Sequence, residues 1–152
     1  MTTARDLGIT DSRAHDKGVI EIDAFLQKQA NAAGYKRYGE TLVIGSTDKA
    51  LEAACIAARC GAQKVVIVCR ERATEIQAAP EKVAEAQELG ARMIRGWAPM
   101  HADIYKDGRV SGVFFKHCDR LYDETGHYAP IYDESNVMAQ YCDSVILADS
   151  MR

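Results

Sequence analysis

The stretch TLVIGSTDKALEAA, residues 41–54, decides the fold because its hydrophobic pattern changes from that of a strand to that of a helix. The apolar run Leu42–Ile44 ends at Gly45, and the chain then enters a segment of helical spacing. The apolar positions of that segment are Ala50, Leu51, Ala54, Cys55 and Ala58. We therefore predict a strand, a tight turn and a helix from about Asp48 to Arg59, closed at Gly61.

The turn in this stretch partly matches the G-x-G-x-x-G/A pattern of dinucleotide-binding turns. Gly45 and Ala50 hold the outer positions, whereas Thr47 stands where a glycine would let the backbone approach a pyrophosphate. The carboxylate of Asp48 is placed to bond the free N–H groups of the helix and to repel an anion. Two interpretations stay open: Ser46, Thr47 and Asp48 only cap the helix, or they form a weakened nucleotide site.

The sequence around this unit continues the alternation of helices and strands. Residues 19–33 predict a leading amphipathic helix, and KVVIVC, residues 64–69, is a continuous apolar run typical of a parallel strand buried on both faces. A helix from Pro80 to Leu89 and a strand from Arg92 to Trp97 follow. This order predicts a parallel sheet with right-handed crossovers.

The pattern becomes antiparallel after Trp97. Asp107-Gly108 separates two extended stretches, and a second turn lies around Glu124 to Gly126, which together indicate a β-meander. VILA, residues 145–148, is predicted as a last buried strand.

Length and charge restrict the class of protein. The 152 residues, 47% of them hydrophobic, suit a single core, and we expect residues 1–17 to be flexible and residues 18–152 to form one domain. A formal net charge of -3 without a basic stripe disfavours nucleic-acid or anionic membrane partners. No apolar run approaches the roughly 20 residues that cross a bilayer, so we expect a cytoplasmic protein without membrane insertion.

Other candidate residues favour structural roles. Five cysteines without a C-x-x-C pair argue against a disulfide framework or a thiolate metal cluster, and we expect them to be small buried residues. His117 and Asp119 share a strand face from which Cys118 points away, so no metal is expected there. Most of the four late tyrosines are expected to pack, with a surface facing another subunit as the alternative: Tyr122, Tyr128, Tyr132 and Tyr141.

Four blocks of sequence occur in a fixed order along the chain: LVIGSTDKALEAACIAARCGA (42–62), VVIVCRERATEIQAAPEK (65–82), DGRVSG (107–112) and SVILADS (144–150). Together they resemble the NAD(P)H-binding domain of the glutamate synthase small subunit and its relatives among the pyridine nucleotide-disulfide oxidoreductases. The resemblance covers about residues 18–150. It implies a Rossmann-like, three-layer α/β domain in which a parallel sheet is joined to an antiparallel β-meander crossover.

The resemblance also implies where a nucleotide would be held. The pyrophosphate turn of the family falls on Gly45, Ser46, Thr47, Asp48 and Ala50. A pair of arginines that meets the 2′-phosphate of NADPH in the family falls on Arg70, which matches, and on Glu71, which does not. A carboxylate there favours the 2′-hydroxyl of NADH, and Arg72 is placed to compensate. A solvated charge cluster is the structural alternative.

In that family the domain is inserted in a larger FAD-binding domain, whereas this sequence has no second glycine-rich turn for a flavin. The resemblance therefore implies a subunit or stand-alone domain of a cytoplasmic flavin-dependent oxidoreductase. It would hold NADH or NADPH weakly or not at all, with FAD only on a partner chain and flavoprotein and iron–sulfur subunits as candidate partners. No metal is expected, and no catalytic residue is identified.

Two alternatives belong to other functional classes. The first is a non-catalytic docking subunit that has lost the nucleotide, and the second is a regulatory sensor of nucleotide level. In an assembly, the leading helix and the tail ending at Arg152 are the expected contact points.

Overall fold

The computed structural model describes residues 19–29 and 39–148, which form two sheets and three helices. In chain order the elements are β1 (Val19–Glu21), α1 (Ile22–Gln29), β2 (Glu40–Ile44), α2 (Asp48–Arg59), β3 (Lys64–Cys69), α3 (Pro80–Glu88), β4 (Arg92–Arg95), β5 (Trp97–Ile104), β6 (Val110–Tyr122), β7 (Tyr128–Tyr141) and β8 (Ser144–Leu147).

The first sheet is parallel, with the strand order β1-β8-β2-β3-β4. Leu42 in β2 lies opposite Val66 in β3 on one side and Val145 in β8 on the other. Both faces of these central strands are buried, which explains why their sequences are continuous apolar runs. The predicted strand–turn–helix unit and the predicted parallel sheet are confirmed.

The two sides of the parallel sheet carry separate cores, which makes three layers. The helices cover one face, and its largest buried members include Phe25, Val43, Leu51, Ile67 and Ile146. The antiparallel sheet covers the other face, and its core includes Leu42, Ile44, Val68, Phe115 and Leu147. The predicted three-layer α/β class is thereby confirmed.

The helix ends follow local signals in the sequence. Thr47 is the N-cap of α2, and Gly61, with φ 90°, follows the helix in the left-handed conformation that glycine adopts without strain. Pro80 stands at the start of α3, where its missing N–H costs no helical hydrogen bond. The predicted bounds of α2 and α3 are confirmed to within one residue.

The second sheet is the predicted meander, with the order β5-β6-β7. Asp107-Gly108 and the segment from Glu124 to Gly126 form its two turns, as predicted. Gly112 in β6 allows β7 to approach closely, since a Cβ atom built there would lie 2.8 Å from the carbonyl oxygen of Gln140.

The prediction of one continuous strand from Arg92 to Trp97 is wrong. Gly96 adopts φ 83°, so β4 ends before it in the parallel sheet and β5 begins after it in the antiparallel sheet. The N–H of Cys118 donates to the carbonyl of Gly96 across 2.7 Å and fixes this change of sheet. One glycine therefore redirects the chain from one sheet to the other.

The start of the predicted leading helix is also wrong. Val19–Glu21 form β1, which pairs with β8 with Val19 opposite Val145, and the helix begins only at Ile22. Residues 30–33 of that predicted helix lie outside the described residues, as do the flexible segment predicted for residues 1–17 and the tail ending at Arg152. Within the described ranges, no helix has the length and apolar character needed to cross a membrane.

Candidate functional site

The candidate site lies at the carboxyl edge of the parallel sheet. There the chain leaves β2 towards β3 on one side, while β8 lies on the other side of β2, so the strand order reverses beside β2. In open α/β sheets, ligands bind at the carboxyl ends of the strands beside such a reversal. The N–H of Ala148, just past β8, donates to the carbonyl of Ile44 across 2.8 Å and holds this edge together.

The turn after β2 combines a strained backbone position with a buried hydroxyl. Gly45 adopts φ 142°, a conformation that residues with a side chain rarely take, and its N–H donates to Val68 across 3.0 Å. Ser46 is 1% exposed, and its hydroxyl oxygen has no hydrogen-bond partner among the described residues. A buried hydroxyl of this kind can be satisfied by a bound polar group.

Thr47 provides the cap of α2. Its hydroxyl oxygen accepts a hydrogen bond from the N–H of Ala50 at 3.3 Å, and its backbone is extended, as is usual for an N-cap. One N–H of the first turn is thus occupied by the protein itself. The side chain is only partly buried, so it borders solvent at the helix start.

The expectation that Asp48 bonds the N–H groups of its own helix is wrong. Its Oδ1 accepts instead from the N–H of Ala79 at 2.9 Å, at the end of the loop between β3 and α3. Beside it, the N–H of Ala78 donates to the carbonyl of Ser46 across 2.8 Å. The carboxylate therefore ties the loop to the turn, and it does not fill the anion site at the start of α2.

The structure places Arg70 in a different setting from the one predicted. Arg70 follows β3 directly and is 3% exposed. Its Nη1 donates to the hydroxyl oxygens of Tyr128 at 2.8 Å and Tyr132 at 3.1 Å, both on β7. Burial raises the pKa of the Tyr132 phenol above its ordinary value, and the neighbouring guanidinium partly opposes that shift.

Glu71 and Arg72 lie in the same turn but differ in their exposure to solvent. Glu71 is 3% exposed, so the alternative of a solvated charge cluster is wrong for both Arg70 and Glu71. Arg72 is half exposed, and its Nε lies 3.3 Å from Oε1 of Glu75. Of the three charged residues predicted here, only Arg72 faces solvent.

Glu75 is a structural residue that the sequence prediction missed. Its carboxylate accepts from the backbone N–H groups of Arg72 at 2.9 Å, Leu121 at 3.2 Å and Tyr122 at 3.4 Å. Burial alone raises the pKa of this carboxyl, but the hydrogen bonds outweigh it and hold the pKa below its ordinary value. An acidic residue three positions after Arg72 could have predicted the ion pair, but not the bonds to β6.

The predicted burial of the cysteines is confirmed for four of the five, and His117 shares a strand face with Asp119 as predicted. Cys55, Cys69, Cys118 and Cys142 are buried, Cys60 is partly buried, and burial raises the pKa of Cys118 to about 11 and of Cys142 to about 12. His117 and Asp119 lie on one face with 2.9 Å between Nδ1 and Oδ1. In the part of the chain that the structure describes, no group of three His, Cys, Asp or Glu side chains is arranged to hold a metal ion.

Comparison with curated proteins identifies relatives in redox metabolism. The NAD-dependent dihydropyrimidine dehydrogenase subunit PreT of Escherichia coli (strain K12) is 30% identical over 120 residues, which cover 76% of this chain and 29% of PreT. The protein of the same name from Escherichia coli O157:H7 is 27% identical over 130 residues, covering 83% of this chain and 32% of that protein. The chain thus spans about a third of the length of these relatives, and no family model matches it.

Comparison with solved structures supports the fold. A thioredoxin reductase of T. acidophilum superposes with a TM-score of 0.62 at 18% identity, covering 98% of this chain and 41% of that chain. Mycobacterium tuberculosis FprA, solved in complex with NADPH, gives a TM-score of 0.60 at 12% identity, covering 74% of this chain and 39% of that one. These solved structures show that the chain has a Rossmann-type fold found in oxidoreductases, and the sequence relatives are named as subunits of an NAD-dependent dehydrogenase. The link to the glutamate synthase small subunit stays a prediction.

Proposed function

We propose that this chain is the nucleotide-holding domain of a flavin-dependent oxidoreductase and presents NADH or NADPH to a flavin on a partner chain. The observation that carries the proposal is the turn after β2. There Gly45 at φ 142° leads into the 12-residue helix α2 beside the point where the strand order reverses. The similarity to PreT, named as a subunit of an NAD-dependent enzyme, supports a redox setting.

The residues of the turn fit a dinucleotide pyrophosphate, although they do not make an ideal site. Free N–H groups in the first turn of a helix attract anions, and the helix dipole adds to that attraction. The hydroxyl of Ser46, which has no hydrogen-bond partner within residues 19–29 and 39–148, offers a further donor at this point. Against binding stand the side chain and cap of Thr47 and the negative charge of Asp48, so we expect weak affinity.

The chain itself would contribute binding and orientation. A bound NADH or NADPH supplies a hydride, and the chemistry belongs to the cofactors. Residues of this chain would hold the pyrophosphate at α2 and leave the nicotinamide end exposed to a flavin held elsewhere. Because this chain would hold only the nucleotide, the expected partner is a flavoprotein, accompanied by iron–sulfur subunits.

One observation favours a second candidate, a non-catalytic docking subunit. Thr47 occupies the N–H of Ala50 with its own hydroxyl, so the protein satisfies one donor of the anion site without a ligand. In that case the surfaces of the subunit would bind and orient redox partners, and no nucleotide would be needed.

Direct titration separates the two candidates. We expect the double variant Thr47→Gly and Asp48→Asn to bind NADH more tightly, since it opens the space at position 47 and removes a charge that costs about 1 kcal/mol at 4 Å in water. Asp103→Asn removes the same charge from an exposed position on β5 and serves as the matched control. Absence of binding in the wild type and in the double variant would favour the docking subunit.

The partner is tested by isolating the protein gently from its native cells. We expect a flavoprotein to co-purify and to give the complex the absorption bands of a flavin. Fractionation of the same cells tests the cytoplasmic location that the sequence predicts. A colourless protein that elutes alone would count against a redox partner and would direct attention to the sensor interpretation.

A further inference from the structure

We propose that the turn after β3 is closed to a 2′-phosphate, so that the chain selects a dinucleotide whose adenosine ribose carries a free 2′-hydroxyl. This inference rests on the proposed function, because it concerns the ribose end of the same nucleotide. The end of the strand after the first helix of a dinucleotide-binding unit is where the ribose is recognised, and that strand is β3 here.

Arg70 is enclosed beneath β7. A 2′-phosphate needs a guanidinium that it can reach, and Arg70 is 3% exposed. Its Nη1 is engaged by the hydroxyls of Tyr128 and Tyr132, and its guanidinium carbon lies 6.0 Å from the centre of the Tyr128 ring. A phosphate would have to break these two hydrogen bonds and draw the Arg70 side chain out from beneath β7 before it could contact this cation.

Glu75 and Tyr122 fix β6 and β7 in this position. Glu75 binds the N–H groups of Leu121 and Tyr122 at the end of β6, immediately before the hairpin turn that leads to Tyr128. The ring of Tyr122 packs edge to face on Tyr128, with 5.8 Å between the ring centres. Tyr128, which covers Arg70, is therefore held in place both by the hydrogen bonds from the end of β6 to Glu75 and by the ring of Tyr122.

The charge of the remaining groups in this turn also disfavours a 2′-phosphate. Glu71 and Glu75 bring carboxylates to the same turn, and both oppose a doubly charged phosphate. Arg72 is the exposed cation there, but Glu75 engages its backbone N–H and its side chain. A neutral ribose hydroxyl needs neither a free guanidinium nor the removal of these carboxylates.

The experiment is a pair of titrations on the full chain, with NADH and with NADPH under the same conditions. We expect the dissociation constant of NADH to be at least about tenfold lower than that of NADPH. A factor of about ten corresponds to one hydrogen bond to a charged group, the contact that the enclosed Arg70 does not give to a 2′-phosphate. The double variant Tyr128→Phe and Tyr132→Phe keeps both rings and removes the hydroxyls that engage Arg70, so we expect it to narrow the ratio by improving NADPH binding. Tyr141→Phe, at a tyrosine 76% exposed on the same strand, is the matched control and should leave the ratio unchanged.

The outcomes separate this inference from the proposed function. Equal or tighter binding of NADPH by the wild type would overturn the inference while leaving the proposed function intact. In that case, loss of NADPH binding in Arg72→Ala would identify Arg72 as the phosphate contact. Binding of neither nucleotide would overturn both. If the double variant does not fold, the single variant Tyr132→Phe is used, and an unchanged NADH to NADPH ratio in a folded variant counts against the closure by the tyrosines.

Discussion

Two turns lie side by side at the carboxyl edge of the parallel sheet, and they use charged and polar residues in opposite ways. In the turn after β2, Asp48 and Lys49 are exposed and the start of α2 borders solvent. In the turn after β3, Arg70 and Glu71 are buried and β7 lies over the arginine. A charged residue at the end of a parallel strand is therefore not by itself a ligand contact, because its neighbours in space decide whether a ligand can reach it.

Removal of Arg70 should produce the largest effect. We expect Arg70→Ala to lower the free energy of unfolding by about 3 kcal/mol, because it leaves a cavity in place of a buried side chain and removes the donor to two partly buried tyrosine hydroxyls. Urea denaturation measures the loss. Arg72→Ala, in the same turn but half exposed, should change stability by less than about 0.5 kcal/mol. Similar losses in the two variants would mean that the turn after β3 is not closed.

A smaller effect is expected at Glu75. Replacement of Glu75 by Gln should cost about 1–2 kcal/mol at neutral pH, since the carboxylate accepts from three backbone N–H groups and an amide does so less well. The exposed Glu124→Gln is the matched control.

The same variant should change the acid limb of the stability curve. Hydrogen bonds hold the pKa of Glu75 below its ordinary value of 4.5 despite burial, so its stabilising contribution is complete above about pH 4.5. That contribution is lost as the pH falls through the lower pKa of the folded state. Denaturation between pH 3 and pH 7 should therefore show a shallower acid decline in Glu75→Gln than in the wild type. Parallel curves would contradict the role given to this carboxylate.

The smallest effect is expected at Asp48, in the open turn. Asp48→Asn keeps an oxygen that accepts from the N–H of Ala79 and should alter stability by less than about 0.5 kcal/mol. Asp48→Ala loses that acceptor and should cost about 1 kcal/mol. Thermal melts of the two variants make the comparison. Equal melting temperatures would show that this bond contributes nothing to holding the loop on the turn.

The sequence predicted the parallel half of the molecule well because its signals are local. The apolar run of β3 and the prolines and glycines at helix ends act within a few residues, and these elements were predicted to within one residue. β1 escaped prediction because three residues, Val19–Glu21, become a strand only by pairing with β8, more than a hundred positions away. The break at Gly96 depends in the same way on contact with Cys118.

The same difference between local signals and distant contacts explains which parts of the candidate site could be predicted. The turn after β2 was placed correctly, because Gly45 and the start of α2 are encoded side by side. The enclosure of Arg70 was not predicted, since Tyr128 and Tyr132 lie 58 and 62 positions further along the chain. The partner of Asp48 escaped for a similar reason, because Ala79 is 31 positions away.

The most direct test of the account is a two-dimensional amide NMR titration of the wild-type chain with NADH. If the start of α2 holds the pyrophosphate, the signals of Ser46, Thr47 and Ala50 should shift in a saturable manner, while those of the distant β5–β6 turn at Asp107 stay fixed. Spectra in which the signals of Ser46, Thr47 and Ala50 do not move at millimolar NADH would contradict the central claim that the turn after β2 is a nucleotide site.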